Sequence, residues 1–269
     1  MSAGDTSRNR APSQIAAYFK RLSDTYGDGE YYGKRRNAVL EAIAPEIAQA
    51  RDVLDVGCGN GAFLVPFTGA PGTRTVTGVD LTLEMLQVAR SRIGAKCRVL
   101  RADISRLPFK PASFDLIFGS HVLQFIADAE LEGVVAGFAR CVQPGGMLIA
   151  TGQRDDGVRQ MLSAIVGPER WREYSETIFR RAPRREADAR PKDRYQQAFA
   201  KAGLRVEERA APFTVTWADI DEWIRIRWLS LIPAEQRERA DAMLAELAKT
   251  GPSQIVTQHE PLIIGRRAS

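Results

Sequence analysis

The stretch Val53-Leu54-Asp55-Val56-Gly57-Cys58-Gly59-Asn60-Gly61 decides the fold of this 269-residue chain. A short apolar run carries an acid near its end and passes directly into three glycines set two residues apart. Glycine adopts positive φ freely and puts no side chain between the backbone and a ligand. At the carboxyl end of a buried strand, such a turn lets a flat or charged molecule lie against the main chain, at the point where an open α/β sheet reverses its winding.

Further short apolar runs lie at Val76–Val79, Arg98–Leu100, Leu116–Phe118 and Met147–Ala150. Between them, Ala62–Phe67, Leu83–Ile93 and Glu130–Val142 carry apolar residues at helical spacing. Strands that alternate with helices predict βαβ units and a parallel sheet covered on both faces. Runs that are apolar throughout agree with strands buried on both sides, and right-handed crossovers then leave a doubly wound arrangement. On the N-terminal side, residues 1–12 read as disordered. Ser13–Ala50 reads as helical, interrupted by the turn-rich Tyr26-Gly27-Asp28-Gly29.

On the C-terminal side the rhythm weakens. Tyr195–Ala202 predicts a helix stopped by Gly203, and Leu204–Glu208 a strand. Thr216-Trp217-Ala218-Asp219 predicts a capping box that starts a helix with Ile220, Trp223, Ile224 and Trp228 on one face. Another helix starts at Pro233 and ends before Gly251, and Leu262–Ile264 is a final strand. The expected organisation is an N-terminal helical lid over 1–37, a core over 38–152, a cap insertion over 153–192, and completion of the core sheet over 193–269 with a helical insertion at about 216–250.

Composition narrows the function classes. With 44% hydrophobic and 26% charged residues the chain has the mix of a soluble globular protein. No apolar run approaches the roughly 18 residues of a membrane helix, and the polar N-terminus lacks the apolar core of a secretory signal. Three cysteines without a CxxC pair argue against a disulfide framework or a structural zinc site, and they fit a cytoplasmic protein. The net charge of +5 is concentrated in Arg180, Arg181, Arg184, Arg185, Arg190, Lys192 and Arg194, interrupted by Glu186, Asp188 and Asp193. That mixture reads as a solvated connector, and no nucleic-acid reading module accompanies it. Neither a nucleic-acid nor a membrane partner is expected.

Asp55, Asp80 and Asp103 fall at the ends of three successive strands. Asp80 can accept both hydroxyls of a ribose, and Asp103 can accept from an adenine amino group. Three acids at one lip favour a cationic cofactor over a diphosphate. The segments VLDVGCGNG, VTGVDLTLEMLQVAR, RADISRLPF, FDLIFGSHVLQFIAD and VQPGGMLIA, spanning about residues 50–152, together resemble the class I S-adenosylmethionine-dependent methyltransferases, specifically the group acting in quinone and natural-product biosynthesis.

The resemblance implies a Rossmann-like, doubly wound, mostly parallel seven-stranded sheet with a helical cap over the active site. It also implies roles for individual positions. Asp55, Gly57, Gly59 and Gly61 would surround the aminoacyl end and ribose of S-adenosylmethionine, and Asp80 would hold the ribose hydroxyls. Leu81 and Met85 would flank the adenine, Asp103 and Ile104 would meet its amino edge, and Ser120 would line the methionine end. Gly57, Gly59 and Ala62 also satisfy a looser nicotinamide-cofactor fingerprint, GxGxxA. Asp55 argues against that reading, because it would set a carboxylate beside a pyrophosphate.

Tyr32 and Arg36 share the helix face of Val39, Leu40 and Ile43, and Arg36 could reach a cofactor carboxylate as a forked donor. Its competing role is that of an arginine lying along the core edge. His121, directly after the fourth strand, is the candidate general base; lining the cleft is its alternative. His259 reads as structural or surface. Trp171, Phe179, Trp217, Trp223 and Trp228 are each better explained by packing, yet together they suggest an apolar or aromatic acceptor under a lid. No metal is expected, because no carboxylate and asparagine cluster stands out as a chelator. The expected reaction is methylation of a small organic metabolite, on oxygen by preference, with N- or C-methylation, a nucleic-acid methyltransferase or an NAD-dependent oxidoreductase as alternatives. An exposed apolar cap surface could pair two subunits as a homodimer.

Overall fold

The computed structural model describes residues 12–23, 25–152, 162, 165–178, 193–227, 229, 232–250 and 255–269. Three helices lead in: α1 (Pro12–Lys20), α2 (Glu30–Ala42) and α3 (Ala44–Gln49). The core then alternates β1 (Asp52–Val56), α4 (Leu64–Thr68), β2 (Thr75–Asp80), α5 (Leu83–Ile93), β3 (Arg98–Arg101), β4 (Phe114–Ser120), α6 (Asp128–Cys141) and β5 (Val142–Thr151). Beyond it lie α7 (Pro168–Ile178), α8 (Arg194–Lys201), β6 (Arg205–Thr216), α9 (Trp217–Arg227), α10 (Ala234–Thr250) and β7 (Ile255–Arg266).

The seven strands form one sheet in the order β3-β2-β1-β4-β5-β7-β6. β1 to β5 pair parallel, while β7 lies antiparallel between β5 and β6. The order reverses between β1 and β4, which opens a crevice at the carboxyl ends of those strands.

The period of two along each strand divides the core. Leu54 and Val56 of β1 pack with Ile117, Leu148 and Ile263 under α6 and α8, where Val134, Val135, Phe138 and Phe199 are buried. Val53 points the opposite way and packs with Leu116, Phe118, Met147 and Ile149 under α4 and α5, against Phe63, Phe67, Leu86 and Ala89. Full burial of β1 explains why the run from Asp52 to Val56 lacks the alternation of a half-exposed strand.

The elements expected in the core recur within a few residues of their expected limits, and Gly203 closes α8 at φ +78. The larger departure is at the C-terminal hairpin. β6 and β7 are each 12 residues long and pair from Arg205↔Arg266 to Thr216↔Ile255, well beyond the two short runs expected. Glu207, Glu208, Arg209 and Pro212 hid β6. Charge and proline are tolerated there because β6 is an edge strand.

The far half of the hairpin supports a third cluster, in which Phe213, Val215, Trp217, Ile220, Trp223 and Ile224 pack with Tyr31, Tyr174 and Leu244. The capping box is present. Asp219 Oδ2 accepts from Thr216 N at 2.6 Å, and Asp219 N donates to Thr216 Oγ1 at 3.4 Å. Trp223 stacks on Tyr31 with centroids 5.0 Å apart, so this cluster also ties α9 to α2. Phe179, Trp228, residues 1–11 and the arginine-rich stretch up to Lys192 lie outside the described residues. Among the described residues, no helix is long and apolar enough to cross a membrane.

Gly78 in β2 lets the glycine turn and α4 close onto the sheet. A Cβ there would come within 2.8 Å of both Cys58 Sγ and Leu64 Cδ1. Cys58 and Leu64 are themselves buried and have little room to yield. Gly78→Ala should therefore lower stability by roughly 1–3 kcal/mol, the range for an overpacked core. Urea denaturation reads this, and an unchanged midpoint would show that the turn can move aside.

Candidate functional site

A cavity of about 240 Å³ opens at the crevice between β1 and β4. Its floor is the turn after β1. Gly57 and Gly59 stand at φ +68 and +52. A side chain at Gly57 would collide with Val122 at 2.6 Å, whereas at Gly59 nothing lies within 4 Å, which leaves open space above the backbone. The amides of Gly57 and Cys58 both donate to the carbonyl of Val79, at 2.8 and 3.0 Å, so the turn is bound to the end of β2.

Asp80 completes that binding. Its Oδ2 accepts from Gly59 N at 2.9 Å and its Oδ1 from Thr82 N at 2.8 Å. Burial pushes the Asp80 carboxyl above the usual range, and the two amides offset part of that rise. Asp55 is only 2% exposed. Burial, followed by the charge of Asp80, pushes it well above the usual carboxylate range. A buried acid held high partly by the charge of Asp80 makes this end of the cavity receptive to a cation. Asp103 caps a short 3₁₀ turn by accepting from Ser105 N at 2.9 Å, and this orients its carboxylate at the rim.

Most residues expected at the site meet around this one cavity. Gly57, Gly59, Asp80, Leu81, Met85, Asp103, Ile104, Ser120, His121, Tyr32 and Arg36 all line it. Asp55 and Gly61 do not. Asp55 is buried away from the cavity lining, where burial and the charge of Asp80 raise its carboxyl. Gly61, at φ +80, faces Ala89 of α5, where an added Cβ would come within 3.1 Å; its place is helix packing.

The expected aromatic lid differs from the one observed. Trp171, Trp217 and Trp223 pack in or against the C-terminal cluster and leave the cavity wall to Phe19, Tyr26, Tyr32 and Phe125. Phe19 meets Tyr26 and Phe125 edge-to-face at 5.2 and 5.3 Å. α1 thereby roofs the cavity, and Asn60 of the glycine turn donates to the carbonyl of Tyr26 beneath it.

At the opposite end from the acids stands a group that the sequence only half revealed. His121 has φ +53, a strained value for a residue with a side chain, held by its amide donating to Thr151 Oγ1 at 3.0 Å. Its Nε2 lies 2.5 Å from Oε1 of Glu260, which is 7% exposed. Burial opposes ionisation of Glu260, but His121, Arg35 and the Thr151 hydroxyl together hold its carboxyl below the usual glutamate range. Arg35 lines the cavity beside them, its guanidinium 5.6 Å from the Tyr32 ring centroid. Sequence reading missed both Arg35 and Glu260. The one available signal was an acid inside a run that becomes a buried strand, next to the already noted His259, which is exposed.

Comparisons with known proteins agree with this geometry. A family model described as a methyltransferase domain matches residues 53–146. Over 151 residues the chain is 31% identical to malonyl-[acyl-carrier protein] O-methyltransferase of Erwinia pyrifoliae, covering 56% of this chain and 55% of that one. It is 33% identical over 140 residues to demethylmenaquinone methyltransferase of Deinococcus radiodurans, covering 51% and 56%. The match thus spans little more than half the length of these relatives. Among solved structures, magnesium protoporphyrin IX methyltransferase of Synechocystis, with bound S-adenosylhomocysteine, superimposes with a TM-score of 0.59 at 14% identity over 96% of this chain and 100% of that one. A [4+2]-cyclase superimposes with a TM-score of 0.60 at 13% identity, covering 96% and 97%. At such identities the likeness concerns the fold alone.

Glu260 titrates lower folded than unfolded, so its contribution to stability is complete above its ordinary value of 4.5. It is lost as pH falls through the depressed folded value. Glu260→Gln removes the counter-charge of Arg35 and should cost roughly 3 kcal/mol near neutral pH. The difference from the parent protein should close as pH is lowered below the ordinary glutamate range. Urea denaturation across that interval checks it, and a pH-independent difference would contradict a role for the charge.

Proposed function

We propose that the chain, whose residues 53–146 match a methyltransferase-domain model, is a class I, S-adenosylmethionine-dependent methyltransferase that methylates a hydroxyl of a small organic metabolite. The observation that carries this reading is Asp80, a carboxylate on the cavity wall at the end of β2, fixed there by the amides of Gly59 and Thr82.

The residues present fit the cofactor. The open space over Gly59 admits a ligand close to the backbone, and Asp80 and Asp103 offer acceptors for ribose hydroxyls and an adenine amino group. Leu81, Met85 and Ile104 supply the apolar slot for the base, and Arg36 a donor for the carboxylate. The buried Asp55–Asp80 pair favours a positive ligand and disfavours a diphosphate, which weighs against a nicotinamide cofactor.

When bound, the cofactor supplies a methyl group activated on a sulfonium. The chain positions the acceptor in line with it, excludes water with the α1 roof, and manages one proton. With Glu260 ionised, His121 Nε2 carries the hydrogen of their bond, which leaves Nδ1 with the lone pair that can take a hydroxyl proton. His121 would hold that proton while the acceptor oxygen, kept in line, receives the methyl group that a bound cofactor would supply. Relatives named malonyl-[acyl-carrier protein] O-methyltransferase and demethylmenaquinone methyltransferase support an organic metabolite group as acceptor.

Two substitutions test the assignment. Asp80→Ala should weaken binding of S-adenosylhomocysteine by about 1–3 kcal/mol, the cost of unpaired hydroxyls; an unchanged dissociation constant removes Asp80 from the site. Once an acceptor is found by screening hydroxyl compounds, His121→Ala should lower turnover by about 10²-fold while sparing cofactor affinity. A loss of less than about threefold would reduce His121 to cleft lining.

A further inference from the structure

Arg35 presents a charged donor with no protein acceptor to receive it. Its Nε is sealed from solvent and has no hydrogen-bond partner among the described residues. Glu260, its neighbouring carboxylate, takes hydrogen bonds from His121 and Thr151 and meets Arg35 through charge alone. A guanidinium carries five donors in a planar fork, and a cavity wall that leaves such a fork without an acceptor invites a ligand oxyanion.

Its neighbour Arg36 is accounted for otherwise. Arg36 also lines the cavity, and its charged neighbours are Arg92, Asp28 and Arg35, with no part for Glu260. Arg35 belongs instead with His121, because both face the same carboxylate, Glu260. Ligand groups that meet Arg35 and His121 must therefore be close neighbours on one molecule. The wall beside them is the edge-to-face array of Phe19, Tyr26 and Phe125, which suits an aromatic ring.

We propose that Arg35 is the specificity-determining residue for the acceptor, and that the acceptor is an aromatic hydroxyl compound with a carboxylate next to the hydroxyl. The proposal rests on the methyltransferase reading above. Arg35 holds the carboxylate while His121 faces the adjacent hydroxyl. Charge balance favours the arrangement. Once His121 has taken the hydroxyl proton, the cations Arg35 and His121 stand against the anions Glu260 and the acceptor carboxylate.

The test uses protein saturated with S-adenosylhomocysteine and two probes of nearly equal shape, salicylate and 2-hydroxybenzyl alcohol, titrated calorimetrically. Salicylate should bind at least about tenfold more tightly. Arg35→Lys, which keeps the charge beside Glu260 but loses the fork, and Arg35→Gln should both bring the preference to within about threefold. Affinity for S-adenosylhomocysteine should stay within about threefold of the parent protein in both variants.

Equal binding of the two probes, binding of neither, or a preference that survives both substitutions overturns the proposal. So does a matching loss of S-adenosylhomocysteine affinity in the variants, which would assign Arg35 to the cofactor carboxylate. Failure of the parent protein to bind S-adenosylhomocysteine at all would overturn the methyltransferase reading itself, and is seen before any acceptor probe is added.

Discussion

The carboxylate of Asp80 is where the strands, the glycine turn and the cavity are joined. One oxygen is bound to the amide of Gly59 and the other to the amide of Thr82, so a single side chain fastens the turn after β1 to the start of α5. Gly57 and Cys58 hold the adjacent carbonyl of Val79 in parallel. The turn can lie so close to β2 only because Gly78 offers no side chain. The acid that organises the turn is therefore already oriented for a ligand, and its partners are backbone groups that substitution elsewhere leaves in place.

From that point the cavity acquires two electrical ends. At one end burial raises both Asp55 and Asp80, and the charge of Asp80 raises Asp55 further. At the other, Glu260 meets both Arg35 and His121 beneath the aromatic roof. A buried ion pair adds little net stability over an apolar replacement, but it fixes orientation. Here Glu260 holds the His121 ring through Nε2, and the strained backbone of His121 is maintained by Thr151. The long hairpin exists partly for this purpose, since β7 carries Glu260 past the end of β5 to the mouth of the cavity.

How much of this was legible in the sequence follows from how local each cause is. The parallel core was readable because double-sided burial makes apolar runs such as Asp52–Val56 continuous, and because the glycines mark the turn directly. Acids at strand ends, such as Asp80 and Asp103, follow from the same punctuation. Arg35 and Glu260 were not readable, because 225 residues of chain separate them and only the register of β7 beside β5 brings them together. The described tryptophans, read singly as packing, do pack, but their partners were hidden for a similar reason. Helical spacing showed that Trp223 faces something apolar, but not that its partner would be Tyr31 of α2 in place of a ligand. The extent of β6 was hidden by charges that only an edge position permits.

The central claim is that the acid-bordered crevice takes an adenosyl cofactor with a positively charged tail. Calorimetric titration of the purified protein with S-adenosylhomocysteine, beside NAD under the same conditions, tests it most directly. The account predicts micromolar binding of S-adenosylhomocysteine and none of NAD. Binding of NAD, or of neither, would contradict it.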